Sequence, residues 1–242
     1  VTQHNQIDLD QKEIEAELAE SPADFAAAKT VYEGGGVNAA NGGFNSMSKG
    51  NARTLKGFST SAQAKMYDGC PGCPYKHYKM FYDYYGDFDY ADKWVSAALA
   101  GTSMSFSSGK HGPNDFSTLG DAARIEAVKK GSAYMNVWMY VIREFEDAID
   151  DCDNSCIACN DDPVHAWDEG VAFWTGSLEK EDGFSSGKQI YALAEKRCKN
   201  FKTCGPNGDS TSLGSPQDTT AKVNFDLFSE FSVGEMLLSY GR

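Results

Sequence analysis

The chain has 242 residues, enough to bury a substantial core without staples, and its 41% apolar and 24% charged residues mark it as globular rather than disordered. Asp and Glu number 35 against 22 Lys and Arg, a formal net charge of −13. That balance suits cations and argues against nucleic-acid phosphates and anionic membrane surfaces as partners. No apolar run approaches the roughly 20 residues that a membrane-spanning helix needs.

In chain order, Asp10 to Glu20 reads as a short helix. Ser21 and Pro22 then read as an N-cap and a first-turn proline for a helix over Ala23 to Glu33, which ends at Gly34, Gly35 and Gly36. A loop rich in Gly, Asn and Ser follows to about Gly50. Ala52 to Lys65 has weaker helical character, interrupted by Gly57 and Thr60, and Cys70 to Pro74 is a tight turn. In the aromatic-rich Lys76 to Tyr85, strand and helix compete, and helix is preferred. Phe88 to Ala100 is a helix ending at Gly101, and Ser103 to Asn114 a polar loop.

The strongest helical periodicity covers Asp121 to Asp150, where Ile125, Val128, Met135, Trp138, Met139, Ile142, Phe145 and Ile149 recur at three-and-four spacing. Its apolar centre predicts a buried central helix. Further helices are expected from Pro163 to about Leu178, from Lys188 to Thr203 and from Val223 to Ser239. Period-two alternation is nearly absent. The pattern therefore predicts an all-α fold, a helical bundle with long ordered loops, in one domain over residues 1–242.

Of seven cysteines, six lie close to another: Cys70 with Cys73, Cys156 with Cys159 and Cys198 with Cys204. With only four histidines and no short-spaced pair of CxxC motifs, disulfides are favoured over zinc. The odd count leaves one thiol over, or one paired outside this chain. Val1 to Asp8 is polar and carries no signal peptide, so a secreted protein would already have lost it.

An internal echo links Asp89-Tyr-Ala-Asp92, followed by Phe106-Ser-Ser-Gly-Lys110, with His165-Ala-Trp-Asp168, followed by Phe184-Ser-Ser-Gly-Lys188. It suggests two related helix–loop units about a pseudo-two-fold.

The most chemically suggestive stretch runs from Asp161 to Glu169. On a helix, His165 and Glu169 share a face and Asp168 flanks them. Glu179 follows at the helix end. One imidazole with several carboxylates makes a hard, mostly oxygen site, suited to Fe(III) or Mn(II). The same spacing also describes a helical first turn whose acids complement the dipole. The echo adds Asp89 at the His165 position, and Glu126 on the long helix is a further candidate that could instead pair with Lys129 or Lys130. Enzyme signatures are weak. Gly183-Phe-Ser185-Ser-Gly187 matches GxSxG but follows a charged loop rather than a strand, and neither HExxH nor ExxH occurs.

The stretches EAVKKGSAYMNVWMYVIREFEDAIDDC within Ala122 to Cys152 and VHAWDEGVAFWTGSLE from Val164 to Glu179 resemble the algal Fe-assimilating protein family, also described as high-carbon-dioxide-inducible periplasmic protein. YADKWVSAALAGTS, YALAEKRCKNF, VYEGGGVN and RTLKGF are similar too, so the likeness spans most of the chain. The resemblance implies secretion to the periplasmic space or cell surface, iron-regulated expression and capture of iron, and it strengthens the assignment of His165, Asp168 and Glu169 as ligands, which rests on their spacing. It also implies a longer chain, so that the end at Tyr240-Gly241-Arg242 reads as a truncation or an excised domain.

The expected function is thus capture of Fe(III), other divalent metals being alternatives, by a binding protein rather than an enzyme. A synergistic anion such as bicarbonate is an expected partner, as is a cell-surface ferric reductase or uptake system. The rivals are a metal-dependent enzyme (hydrolase, oxidoreductase or carbonic-anhydrase-like) and an acidic structural protein of the cell surface.

Overall fold

The computed structural model describes residues 1–34, 54–154, 163–179, 186–205, 207–209 and 220–241. The elements are helices α1 (Thr2–Asn5), α2 (Ile7–Glu17), α3 (Phe25–Gly34), α4 (Leu55–Thr60), α5 (Ala62–Met66), α6 (Lys76–Tyr85) and α7 (Tyr90–Ala100), strands β1 (Ser103–Ser105) and β2 (Pro113–Asp115), then helices α8 (Asp121–Lys130), α9 (Trp138–Asp153), α10 (Pro163–Thr175), α11 (Ile190–Phe201) and α12 (Lys222–Ser239). The fold is mostly helical, as the periodicity predicts. Among the described residues, no helix is long and apolar enough to cross a membrane. The loop to Gly50, the Cys156 and Cys159 pair, and Phe184 and Ser185 of the echo and of the GxSxG match lie outside the described residues.

The chain divides into two compact units, Leu9–Arg143 and Val1–Asp8 with Glu144–Arg242. In Leu9–Arg143 the largest buried side chains are aromatic, Tyr32, Phe58, Tyr78, Tyr90 and Tyr140, set among aliphatic residues such as Ile14, Leu55 and Val95. Phe58 stacks on Tyr140 with ring centroids 4.3 Å apart, and Tyr85 stacks on Tyr90 at 4.2 Å. Polar side chains here tie helices through main-chain carbonyls: the Trp94 indole donates to Ala127 O at 3.0 Å, and Arg124 donates to Ala98 O and Leu99 O at 3.0 and 2.7 Å. The Arg124 guanidinium also lies 3.8 Å over the Phe25 ring.

Three local expectations change. The helix expected at Ser21-Pro22 begins at Phe25, because Asp24 supplies the cap and accepts from the Ala27 N–H at 2.8 Å. The expected polar loop over Ser103 to Asn114 contains an antiparallel hairpin, Ser103 opposite Asp115, with strands too short to show alternation. The long helix from Asp121 is interrupted by a π-helical segment, Gly131–Val137. There a Cβ on Gly131 would stand 2.5 Å from the Trp94 ring and 2.8 Å from Val95, so α7 presses directly on its backbone. The Tyr90 hydroxyl donates to Met135 O at 3.1 Å, satisfying a carbonyl within the widened turn.

In the second unit, α10 packs on α1, α11 and α12. Phe173 and Trp174 are buried, and the Trp167 indole donates to Phe231 O at 2.9 Å. Glu195, 3% exposed, accepts from the Asn224 amide at 2.7 Å and the Ala221 N–H at 3.0 Å. The Cys198–Cys204 disulfide lies beside it in sequence, and Cys70–Cys73 staples the other unit. Cys152 forms no disulfide among the described residues.

Candidate functional site: a histidine–carboxylate cluster

Within Val1–Asp8 and Glu144–Arg242, α10 places His165 and Glu169 one turn apart, and their side chains meet: His165 Nε2 stands 3.2 Å from Glu169 Oε1. A third residue joins them from the chain's first helix. His4 Nε2 lies 3.0 Å from the same Glu169 oxygen. The two imidazoles are perpendicular, with centroids 6.4 Å apart, and the His4 ring meets Phe173 edge-on at 5.5 Å. His165 is half-exposed, whereas the side chains of His4 and Glu169 are 17% and 10% exposed. The Nδ1 atom of His4 is buried without a hydrogen-bond partner.

Two imidazoles and a carboxylate are donors that first-row metal ions accept. Neighbouring donors about 2.1 Å from one octahedral ion stand roughly 3 Å apart, close to the separations seen. The same separations equally describe imidazole N–H groups donating to a carboxylate. Both imidazoles face the Glu169 oxygen itself, and among the described residues no group of three or more His, Cys, Asp or Glu is arranged to hold a metal ion. Binding there would need the three side chains to turn from one another.

The remaining candidates fall elsewhere. Asp168 lies between His165 and Glu169 on α10, half-buried. Glu179 is held in a separate cluster, where its Oε2 accepts the Gly187 N–H at 3.1 Å. Burial, then the nearby negative charges of Glu195 and Asp8, push its carboxyl up. Glu126 and Asp89 belong to the other unit. Glu126 is exposed and pairs with Lys130 at 2.9 Å and Lys129 at 3.9 Å. Asp89 occupies the N-cap position of α7 without a side-chain capping bond. Sequence reasoning missed His4. Its separation from His165 leaves no spacing signal, and only its being one of four histidines could have drawn attention to it.

Comparison with protein-family models, curated protein sequences and solved structures finds no significant match to this chain.

Proposed function

We propose that this is a secreted metal-binding protein that captures iron, Fe(III) foremost, with Glu169, His165 and His4 as its donors. The observation that carries the reading is the meeting of two imidazoles, from helices far apart in sequence, on one buried carboxylate oxygen. The likeness of VHAWDEGVAFWTGSLE to the algal Fe-assimilating family supports iron over other metals, and the acidic chain favours cations generally. Glu169 supplies the hard oxygen that a ferric ion prefers, and the imidazoles supply borderline nitrogen. Protons compete for all three donors, so affinity falls as pH falls, which gives a route to release.

The test is metal loading of the purified chain: Fe(III) with a competing chelator, against Mn(II), Zn(II) and Ca(II), with bound metal measured by mass spectrometry. Near-stoichiometric iron that leaves at acid pH is expected. His4→Ala should weaken binding about tenfold or more, and His165→Ala with Glu169→Gln should abolish it while helicity by circular dichroism is kept. Unchanged iron affinity in the double variant would remove the site. Two imidazoles and one carboxylate leave coordination positions open, which favours the metal-dependent enzyme as second reading. Turnover by the loaded protein would support it. Weak binding displaced by calcium would favour an acidic surface protein instead.

A further inference from the structure

Another polar cluster in the same unit involves none of these three donors. It forms where the chain leaves α10 and where it enters α11. Gly176 ends α10 at φ +79°, a conformation that glycine adopts freely, and lets the backbone pass close to Asp8. A Cβ there would stand 2.5 Å from Asp8 Oδ2 and 3.1 Å from Gln189 Cγ, so the Asp8 carboxylate and the Gln189 side chain crowd the same face of this glycine. Asp8 is fully buried and accepts from the Ser177 hydroxyl at 2.7 Å and the Leu178 N–H at 2.8 Å. Glu179 is the next residue, and its charge and that of Asp8 act on each other.

Three buried polar groups around this turn lack partners. Gln189 is 1% exposed, and neither its Oε1 nor its Nε2 is hydrogen-bonded. Oε1 of Glu179 is buried and unpartnered, while its Oε2 takes the Gly187 N–H two residues before Gln189. Asn5 accepts the Ser177 N–H on its main-chain carbonyl at 2.9 Å, and its own Oδ1 is a buried orphan. An unpaired buried amide or carboxylate oxygen is costly. Two adjacent carboxylates raise that cost, since each disfavours the other's charge.

One species answers both penalties: a hard cation that takes carboxylate and amide oxygens together. We propose that Asp8, Glu179 and Gln189 form a calcium site, distinct from the histidine–carboxylate cluster. Calcium accepts six to eight oxygens at about 2.3–2.6 Å in flexible geometry and mixes carboxylate, amide and main-chain ligands. An all-oxygen set of carboxylates and an amide disfavours softer metals, and calcium accepts such mixed sets in more varied geometry than magnesium, which demands a near-ideal octahedron. Burial, and then the Asp8 hydrogen bonds that only partly offset it, leave that carboxyl pushed up to about 6, in keeping with a carboxylate that wants a counter-ion. The site bridges the two ends of a chain segment, so calcium would fasten α10 to α11 and to the N-terminal residues.

Calorimetric titration of the full chain with calcium chloride, and its melting temperature with calcium or with chelator, test this. Calcium should raise the melting temperature by several degrees, with magnesium much weaker. Gln189→Leu replaces the orphan amide by an apolar group of similar size. It should keep or raise the calcium-free melting temperature yet weaken calcium binding about tenfold or more. Glu179→Gln should weaken it similarly, and His165→Ala should leave it unchanged, so that loss of the iron site and loss of this one are told apart. Absence of calcium heat and of a melting shift in the unaltered protein at millimolar calcium overturns the proposal. So does calcium binding of normal strength by a folded Gln189→Leu variant.

Discussion

Residues Leu9–Arg143 and the unit made of Val1–Asp8 and Glu144–Arg242 handle buried polarity in different ways. In the first, Trp94, Arg124, Tyr90 and Tyr78 donate to main-chain carbonyls. Such bonds join helices and add no net negative charge, leaving aromatic packing to supply the cohesion. That unit also buries the Asp87 carboxylate, but Lys93 and the Ser107 N–H and hydroxyl answer it. In the second, three buried carboxylates gather polar partners: Glu169 between two imidazoles, Asp8 at the turn after α10, and Glu195 among Thr220, Ala221 and Asn224. A buried carboxylate is tolerated only where donors or cations meet it. Glu195 has its donors, whereas Glu179 and Gln189 retain unused atoms. The lesson is that ligand chemistry is to be sought where the charge is buried and incompletely answered, and that points to the second unit.

The sharpest way to break this contrast is in the aromatic core. Phe58 is fully buried against Tyr140, so Phe58→Ala should cost about 3–5 kcal/mol in urea unfolding. A loss well under 1 kcal/mol would mean that aromatic packing is not what holds Leu9–Arg143 together.

A somewhat smaller effect should come from Asp8, and it carries a sign. Burial raises its folded-state carboxyl to about 6, above the unfolded value. The native state therefore holds that proton more tightly. Its contribution to stability is fully present below about pH 4 and is lost as pH rises through 6, a total of about 3 kcal/mol. In chelator, Asp8→Asn should flatten the stability profile over that window relative to the unaltered protein. Parallel profiles would show that the carboxylate is already well solvated, and the contrast between units would weaken.

The smallest effect is expected at Glu126, which the sequence offered as a metal ligand. It is exposed and paired with lysines, so Glu126→Gln should change stability by less than about 0.5 kcal/mol. Iron loading should be unchanged. A loss of iron on this substitution would bring the other unit back into consideration.

Much of the fold was legible because helical periodicity and cysteine spacing are local properties. The preference for helix over the aromatic-rich stretch from Lys76 and the proline at Pro163 placed two helices within a few residues, and close cysteine spacing favoured disulfides, leaving the structure to show the Cys70–Cys73 and Cys198–Cys204 pairs. The π-helical segment was not legible. It arises where Trp94 and Val95 lie against Gly131, a contact across 36 or more residues of chain that no window of periodicity samples.

The candidate site divides in the same way. Sequence alone determined that His165 and Glu169 share a helical face, because a spacing of four residues makes one helical turn. Only the tertiary structure decided that His4 meets them, that Glu179 turns instead toward Gly187, and that Gln189 comes to lie beside Asp8. The physical reason is that those meetings are made by chain reversals and by packing among α1, α10 and α11. Hydrophobic burial drives that packing without direction, so the polar neighbours it brings together cannot be read from their positions along the chain.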